Sequence, residues 1–190
     1  MQKVLSPAFF RRPVLTVAEE LIGKTLMRKR GGEKIALIIT EVEAYDGVND
    51  RACHAHRGRT ARNDVMFGPA GYFYVYFIYG MYFMLNIVTG EEGSPAAVLV
   101  RGAFEMACPE SDHQLLQGPG KLTKALGIDR ALNGKRSHPS SNLWIEDRGI
   151  TIPKKSIHRT PRIGVAYAGA SAELPYRFVL DPNTLAICSR

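Results

Sequence analysis

Glu41, Glu43 and Tyr45 alternate with Thr40, Val42 and Ala44 at the end of the apolar run IALIITEVEAY. Side chains of a strand point alternately to its two faces, so this spacing puts both carboxylates and the tyrosine ring on one side. Leu37 and Ile39 are expected on that same side one step earlier, which would stand the carboxylates at the edge of an apolar surface. There a glutamate pKa tends to rise toward a value useful to a base. The same residues also read as a solvated strand end. Paired carboxylates on one face fit a sugar hydrolase as well, whose acid and base flank the bond they break. The pair alone does not choose.

The segment RACHAHRGRTARN, residues 51–63, gathers Arg51, Arg57, Arg59 and Arg62 with His54 and His56. Arginine matches phosphate oxygens bidentately, so this reads as a phosphate-contacting loop, against the plainer reading of a solvated basic one. Cys53-His54-Ala55-His56 has metal-binding residue types. No second Cys/His pair at suitable spacing completes four ligands, and no metal is expected. Arg101 interrupts the apolar strand AVLVRG. If buried it needs a partner, for which Glu43 is available; at a strand end it would be a surface residue. Lys121, which opens a helix after GPG, resembles a helix N-terminal anion site, although capping explains it equally.

Residues 72–88, YFYVYFIYGMYFMLNIV, are aromatic and apolar in a chain of net charge +7. A membrane span needs about 20 apolar residues and keeps its tyrosines at the interfaces, so this run fits one poorly. Alternation fits better: Tyr72, Tyr74 and Tyr76 share one strand face, while Phe73, Val75 and Phe77 share the other. Gly80 then marks a turn, and the run is expected to be a β-hairpin with Tyr79 at its tip. A two-residue turn would put Asn86 on the face opposite Tyr76. A three-residue turn would pair Tyr74 with Asn86 and collect them on one side.

The elements that must carry these residues follow from local signals. Thr16 and Glu19 make a capping box for a helix over 16–22, which Gly23 ends. KTLMRKR, the GGEK turn and IALIITEVEAY form a hairpin, and residues 46–71 a polar loop. AAVLVRGAF is a strand, and Pro119 and Gly127 bracket a helix. NLWIED, PRIGVAYAG and PYRFVL read as further strands. The expected fold is α+β: a single domain over 1–190 with a curved, mostly antiparallel sheet, partly barrel-like, flanked by short helices and carrying a protruding hairpin.

Composition sets the outer bounds. At 190 residues, 45% hydrophobic and 23% charged, the chain is an ordinary globular protein with room for a core. A pI near 9.5 points to an anionic partner. The N-terminal MQKVLSPAFFRR has no signal-peptide character. Cys53, Cys108 and Cys188 are odd in number and widely spaced, against a disulfide framework. A reducing cytoplasm is the expected setting.

Tyrosines beside a carboxylate and an arginine-rich loop share one explanation. Enzymes that act on a base in a duplex extrude it into a pocket, fill the gap in the stack and hold the backbone. ITEVEAYDG, the His54 loop, RNDVMFGPAGYFYVYFIYGMYFMLNIV, AVLVRGAFE, GPGKLTKALGI and the closing PRIGV and PYRF motifs occur in order. Together they resemble the alkyladenine (3-methyladenine) DNA glycosylase family, from about Leu15 to Val179. The resemblance implies a monofunctional enzyme without a cofactor, which flips an alkylated or deaminated purine and hydrolyses its N-glycosidic bond. It implies Glu43 as the base that activates water, Arg101 as holder of that water and the carboxylate, and Tyr45 stacked on one side of the base. His54 and Tyr76 would lie on the other side, Asn86 at the floor against the amino group of normal guanine, and Tyr79 in the vacated stack. Arg57, Arg59, Arg62 and Lys121 are expected at the DNA backbone. The expected partner is double-stranded DNA with damaged purines, bound by a monomer at no membrane, in the cytoplasm and at the nucleoid if the source is bacterial.

Two other classes compete. A non-catalytic nucleic-acid binder would use the aromatic strands as a stacking platform but leaves Glu43 without a purpose. A carbohydrate hydrolase built on Glu41 and Glu43 leaves the positive charge without one.

Overall fold

The computed structural model describes residues 2–105, 115–181 and 184. Cys108 and Cys188 lie outside them, and Cys53 is a buried free thiol. In chain order the elements are β1 (Lys3–Val4), α1 (Pro7–Phe10), α2 (Val14–Leu21), β2 (Thr25–Arg30), β3 (Glu33–Tyr45), β4 (Phe73–Ile78), β5 (Tyr82–Val88) and β6 (Ala97–Glu105). After them come β7 (Leu115–Gln117), α3 (Pro119–Ala125), β8 (Leu143–Asp147), β9 (Ile157–Thr160) and β10 (Arg177–Leu180). The strands form one antiparallel sheet in the order β1-β8-β2-β3-β6-β5-β4, with β10 on β3, β9 on β10 and β7 on β6. It curls into a half-barrel flanked by the short helices, an α+β fold. Among the described residues no helix is long and apolar enough to cross a membrane.

β3 is the axis of the sheet. Glu33–Ile38 pair with β2, whereas Glu41–Glu43 pair on the same edge with β10. Along its other edge it follows β6, with a local irregularity: Ile39 faces Ala103 and Val42 faces Val100, while Glu41 sits opposite Gly102 between them. Three steps from Ile39 to Val42 reverse the parity of the strand. Leu37, Ile39, Val42 and Ala44 therefore all enter one core, with Val17 and Leu21 of α2, Leu122 of α3, Phe73, Leu85, Ile87 and Val98. The expectation that Leu37 and Ile39 share the face of Glu43 is thus wrong: the irregularity turns them to the opposite side.

The aromatic hairpin has the three-residue turn. Tyr74 pairs with Asn86 and Ile78 with Tyr82, leaving Tyr79, Gly80 and Met81 as the loop. One face of β4 and β5 joins the core; the other presents Tyr74, Tyr76, Met84 and Asn86 to a cavity.

Two further expectations are corrected. α2 begins at Val14 behind Pro13, and Thr16 lies inside it without a capping bond; the fixed φ of proline starts the helix two residues earlier. PRIGVAYAG is not a strand. Gly164 takes φ +78°, and the segment runs into a 3-10 helix over Ala166–Ala172. Its polar groups are spent on the site below rather than on a ladder.

Candidate active site

Glu43 is fully buried on the face of β3 away from the core. Its Oε2 accepts from Tyr45 Oη at 2.8 Å and from Arg101 Nη1 at 3.4 Å, and its Oε1 accepts from the backbone N–H of Ile163 at 2.8 Å. All three partners are donors, an arrangement suited to a carboxylate. Arg101 binds Glu41 more closely, Nε to Oε1 at 2.9 Å, and Arg177 Nε donates to that same oxygen at 2.7 Å. Glu41 is thus engaged in tying β6 and β10 to β3, and the two carboxylates differ in kind.

In front of these groups lies a cavity of about 310 Å³, within the usual range of ligand pockets. Tyr45, Tyr76, His54, Asn86 and Arg101 all line it; Glu43 does not, being shut behind Tyr45, Arg101 and Ile163. Burial, then the neighbouring Glu43 charge, raises the Tyr45 pKa far above that of a free phenol, so its hydroxyl keeps the proton that it donates. Burial also raises Tyr76 and pushes Tyr74 up to about 12. His54 Nδ1 lies 3.0 Å from Tyr74 Oη, and its ring stands edge-on to Tyr76 at 4.6 Å. Burial, then the charge of Arg62, lowers the His54 pKa and favours the neutral ring. Asn86 Nδ2 donates to the carbonyls of Tyr74 and Met84, which fixes the orientation of the amide at the pocket floor.

Of the remaining expected residues Tyr79 alone lines the cavity. It stands at the hairpin tip, is 81% exposed, and has φ +53°. A large ring in the left-handed region is strained, yet this one packs on little. Arg62 reaches over the Tyr76 ring at 5.5 Å. Arg57 is exposed and makes no hydrogen bond or ion pair among the described residues, whereas Arg59 pairs with Asp64 at 2.6 Å. Lys121 is exposed on α3, whose Pro119 lines the cavity. His56 is turned away, its Nδ1 on the Val48 carbonyl at 2.8 Å. Among the described residues no three His, Cys, Asp or Glu side chains gather as a metal site.

A buried carboxylate with three fixed donors thus stands behind a tyrosine-walled cavity. A family model described as methylpurine-DNA glycosylase (MPG) matches residues 8–184. The chain belongs to the methylpurine-DNA glycosylase family. Its members act on N-glycosyl bonds as hydrolases of DNA repair, and this chain is such an enzyme. Relatives bearing the name "Putative 3-methyladenine DNA glycosylase" are close along most of their length. That of Methanocella arvoryzae is 47% identical, covering 98% of this chain and 96% of the relative. Those of Psychrobacter cryohalolentis and Streptomyces avermitilis are 44% and 43% identical, covering 94% and 93% of this chain and 92% and 87% of theirs.

Within this glycosylase the residues that local pattern missed come from the segment misread as a strand. Arg162 is buried, binds the carboxylate of Asp50 and the carbonyls of Ala44 and Ser171, and lies between the rings of Tyr45 at 4.9 Å and Tyr176 at 5.2 Å. It holds the back of Tyr45 and fixes the chain one residue before the Ile163 amide. A lone arginine amid apolar residues was the available signal, as at Arg101. The Ile163 N–H has no side-chain signature at all.

Proposed function

We propose that this glycosylase draws an alkylated or deaminated purine out of duplex DNA and hydrolyses its N-glycosidic bond with a water activated by Glu43. The observation that carries the reading is the Glu43 carboxylate, held by Tyr45, Arg101 and Ile163 directly behind the cavity. Tyr45 on one side, and Tyr76 with His54 on the other, would stack on the base, and Asn86 would meet its far edge. Tyr79 would fill the gap left in the stack. A 3-methylated adenine is cationic, so tyrosine faces attract it beyond stacking.

In the reaction the water oxygen bonds to C1′, the C1′–N bond breaks toward the purine, and Glu43 takes the proton of the water. The methylated cation leaves as a neutral base, whereas a neutral deaminated purine leaves as an anion and takes up a proton from solvent. The Arg101 contact, the longest of the three at 3.4 Å, is where water would enter, since catalytic hydrogen bonds are often looser before substrate binds. The test is to incubate the protein with methylated duplex DNA and look for free purine. Release of 3-methyladenine supports the reading. Binding without release of free purine would overturn it.

A further inference from the structure

Besides Tyr79, two exposed apolar side chains border the same cavity from a separate part of the chain. Ile163 is half exposed, and Tyr167 is 71% exposed. The Tyr167 hydroxyl is fixed by the Ala52 carbonyl at 3.3 Å, in the loop that also presents His54. With Met81 and Tyr82 beside Tyr79, five of the seven exposed large hydrophobic residues among those described lie at this cavity or on its hairpin. Scattered exposed apolar residues need no explanation, but a cluster around one opening marks a contact surface. The proposed mechanism uses the backbone N–H of Ile163 but neither its side chain nor Tyr167.

The occupant follows from the chemistry of an extrahelical nucleotide, and so rests on the reading above. Its base fills the pocket, but the nucleotide stays joined to the strand through two phosphates, so the deoxyribose is what must lie at the opening. A deoxyribose offers C–H surface, which suits an aromatic ring and an aliphatic side chain, while its phosphates suit Arg62, which reaches over the Tyr76 ring of the pocket.

We infer that Tyr167, with Ile163, forms a second lip of the pocket that packs against the deoxyribose of the extrahelical nucleotide and holds its C1′ before Glu43. Tyr79 occupies the duplex; Tyr167 grips what has left it. The ring is a substrate-contacting group with no part in proton transfer.

A duplex containing a tetrahydrofuran abasic site isolates this contact, because it presents the sugar without a base. Tyr167→Ala weakens binding of that duplex about tenfold, the size of one aromatic contact, and slows single-turnover excision of hypoxanthine by a similar factor. Its thermal midpoint and its affinity for undamaged duplex stay as in the wild type. Tyr167→Phe, which keeps the ring and loses the bond to Ala52, behaves as the wild type. Unchanged abasic-site binding by Tyr167→Ala overturns the inference. So does an equal loss in Tyr167→Phe, which would make the hydroxyl a strut for the His54 loop. If the wild type itself neither prefers the abasic duplex nor releases base, the proposed function has failed; if it does both and Tyr167→Ala matches it, only the lip has.

Discussion

The backbone amide of Ile163 and the Oε1 of Glu43 meet at 2.8 Å, although 120 positions separate them in the chain. The central strand is thereby joined to the segment that also bears Arg162 and Tyr167. The position of the carboxylate is set from both sides, by β3 beneath it and by this amide beside it.

Glu43→Gln removes the charge and leaves a side chain whose amide end must face donors. Excision in single-turnover assays is expected to fall by about two to four orders of magnitude, the usual scale for a positioned base, with duplex affinity unchanged. Near-normal turnover would remove Glu43 from the mechanism. Glu41→Gln instead weakens the pairs to Arg101 and Arg177. It should lower stability by about 1–3 kcal/mol and affect excision far less.

Arg162→Met strands the Asp50 carboxylate in the interior. Breaking a buried pair from one side costs about 3–5 kcal/mol, so the urea midpoint should drop sharply. A loss under 1 kcal/mol would mean that Asp50 finds other donors.

Tyr79→Asn places in the turn a residue that tolerates its positive φ. Relief of the strain should stabilise the fold by about 1 kcal/mol. The flipped fraction, read from the fluorescence of an ethenoadenine duplex, should fall at the same time. A variant that gains neither stability nor a flipping defect would contradict both roles of the ring.

Affinity for undamaged duplex should fall steeply with salt as counterions leave the phosphates. Arg57→Ala is expected to flatten the log–log slope by about 1. Arg59→Ala should flatten it less, because Arg59 already pairs with Asp64. Equal slopes for Arg57→Ala and the wild type would move the backbone contacts elsewhere.

His54 titrates below the 6.5 of a free imidazole, through burial first and the Arg62 charge second. A depressed native pKa favours the neutral ring, so its stabilising contribution is complete above 6.5 and is lost as pH falls through the lower native value. Binding of a cationic methylated purine should weaken over the same acidic window. Arg62→Ala should move the His54 titration upward, as followed by NMR of the ring protons; a downward move would reverse the assigned cause.

Alternation was enough to find the hairpin, its tip and the face of Tyr76, because period-2 patterning is a local property of a half-buried ribbon; the face of Asn86 stayed open, because it depends on the length of the turn. Alternation was also enough to pair Tyr45 with Glu43. It failed where the strand itself is irregular: no residue type between Ile39 and Val42 announces that the parity reverses. It failed again at Arg162 and Ile163, whose partners Asp50 and Glu43 lie more than a hundred positions away. The apolar character of RIGV reads as a strand for the same reason that it reads as a pocket wall. Both are burial, and periodicity cannot tell which neighbour does the burying.

The three-residue turn that brings Tyr74 opposite Asn86 also puts Tyr79 and Asn86 on one hairpin. If Tyr79 enters the stack and Asn86 meets the purine edge as proposed, the two contacts would be made in a single stroke. Withdrawal from a normal base would then release both at once, and the time spent at each position along the DNA would be set by one motion of the hairpin.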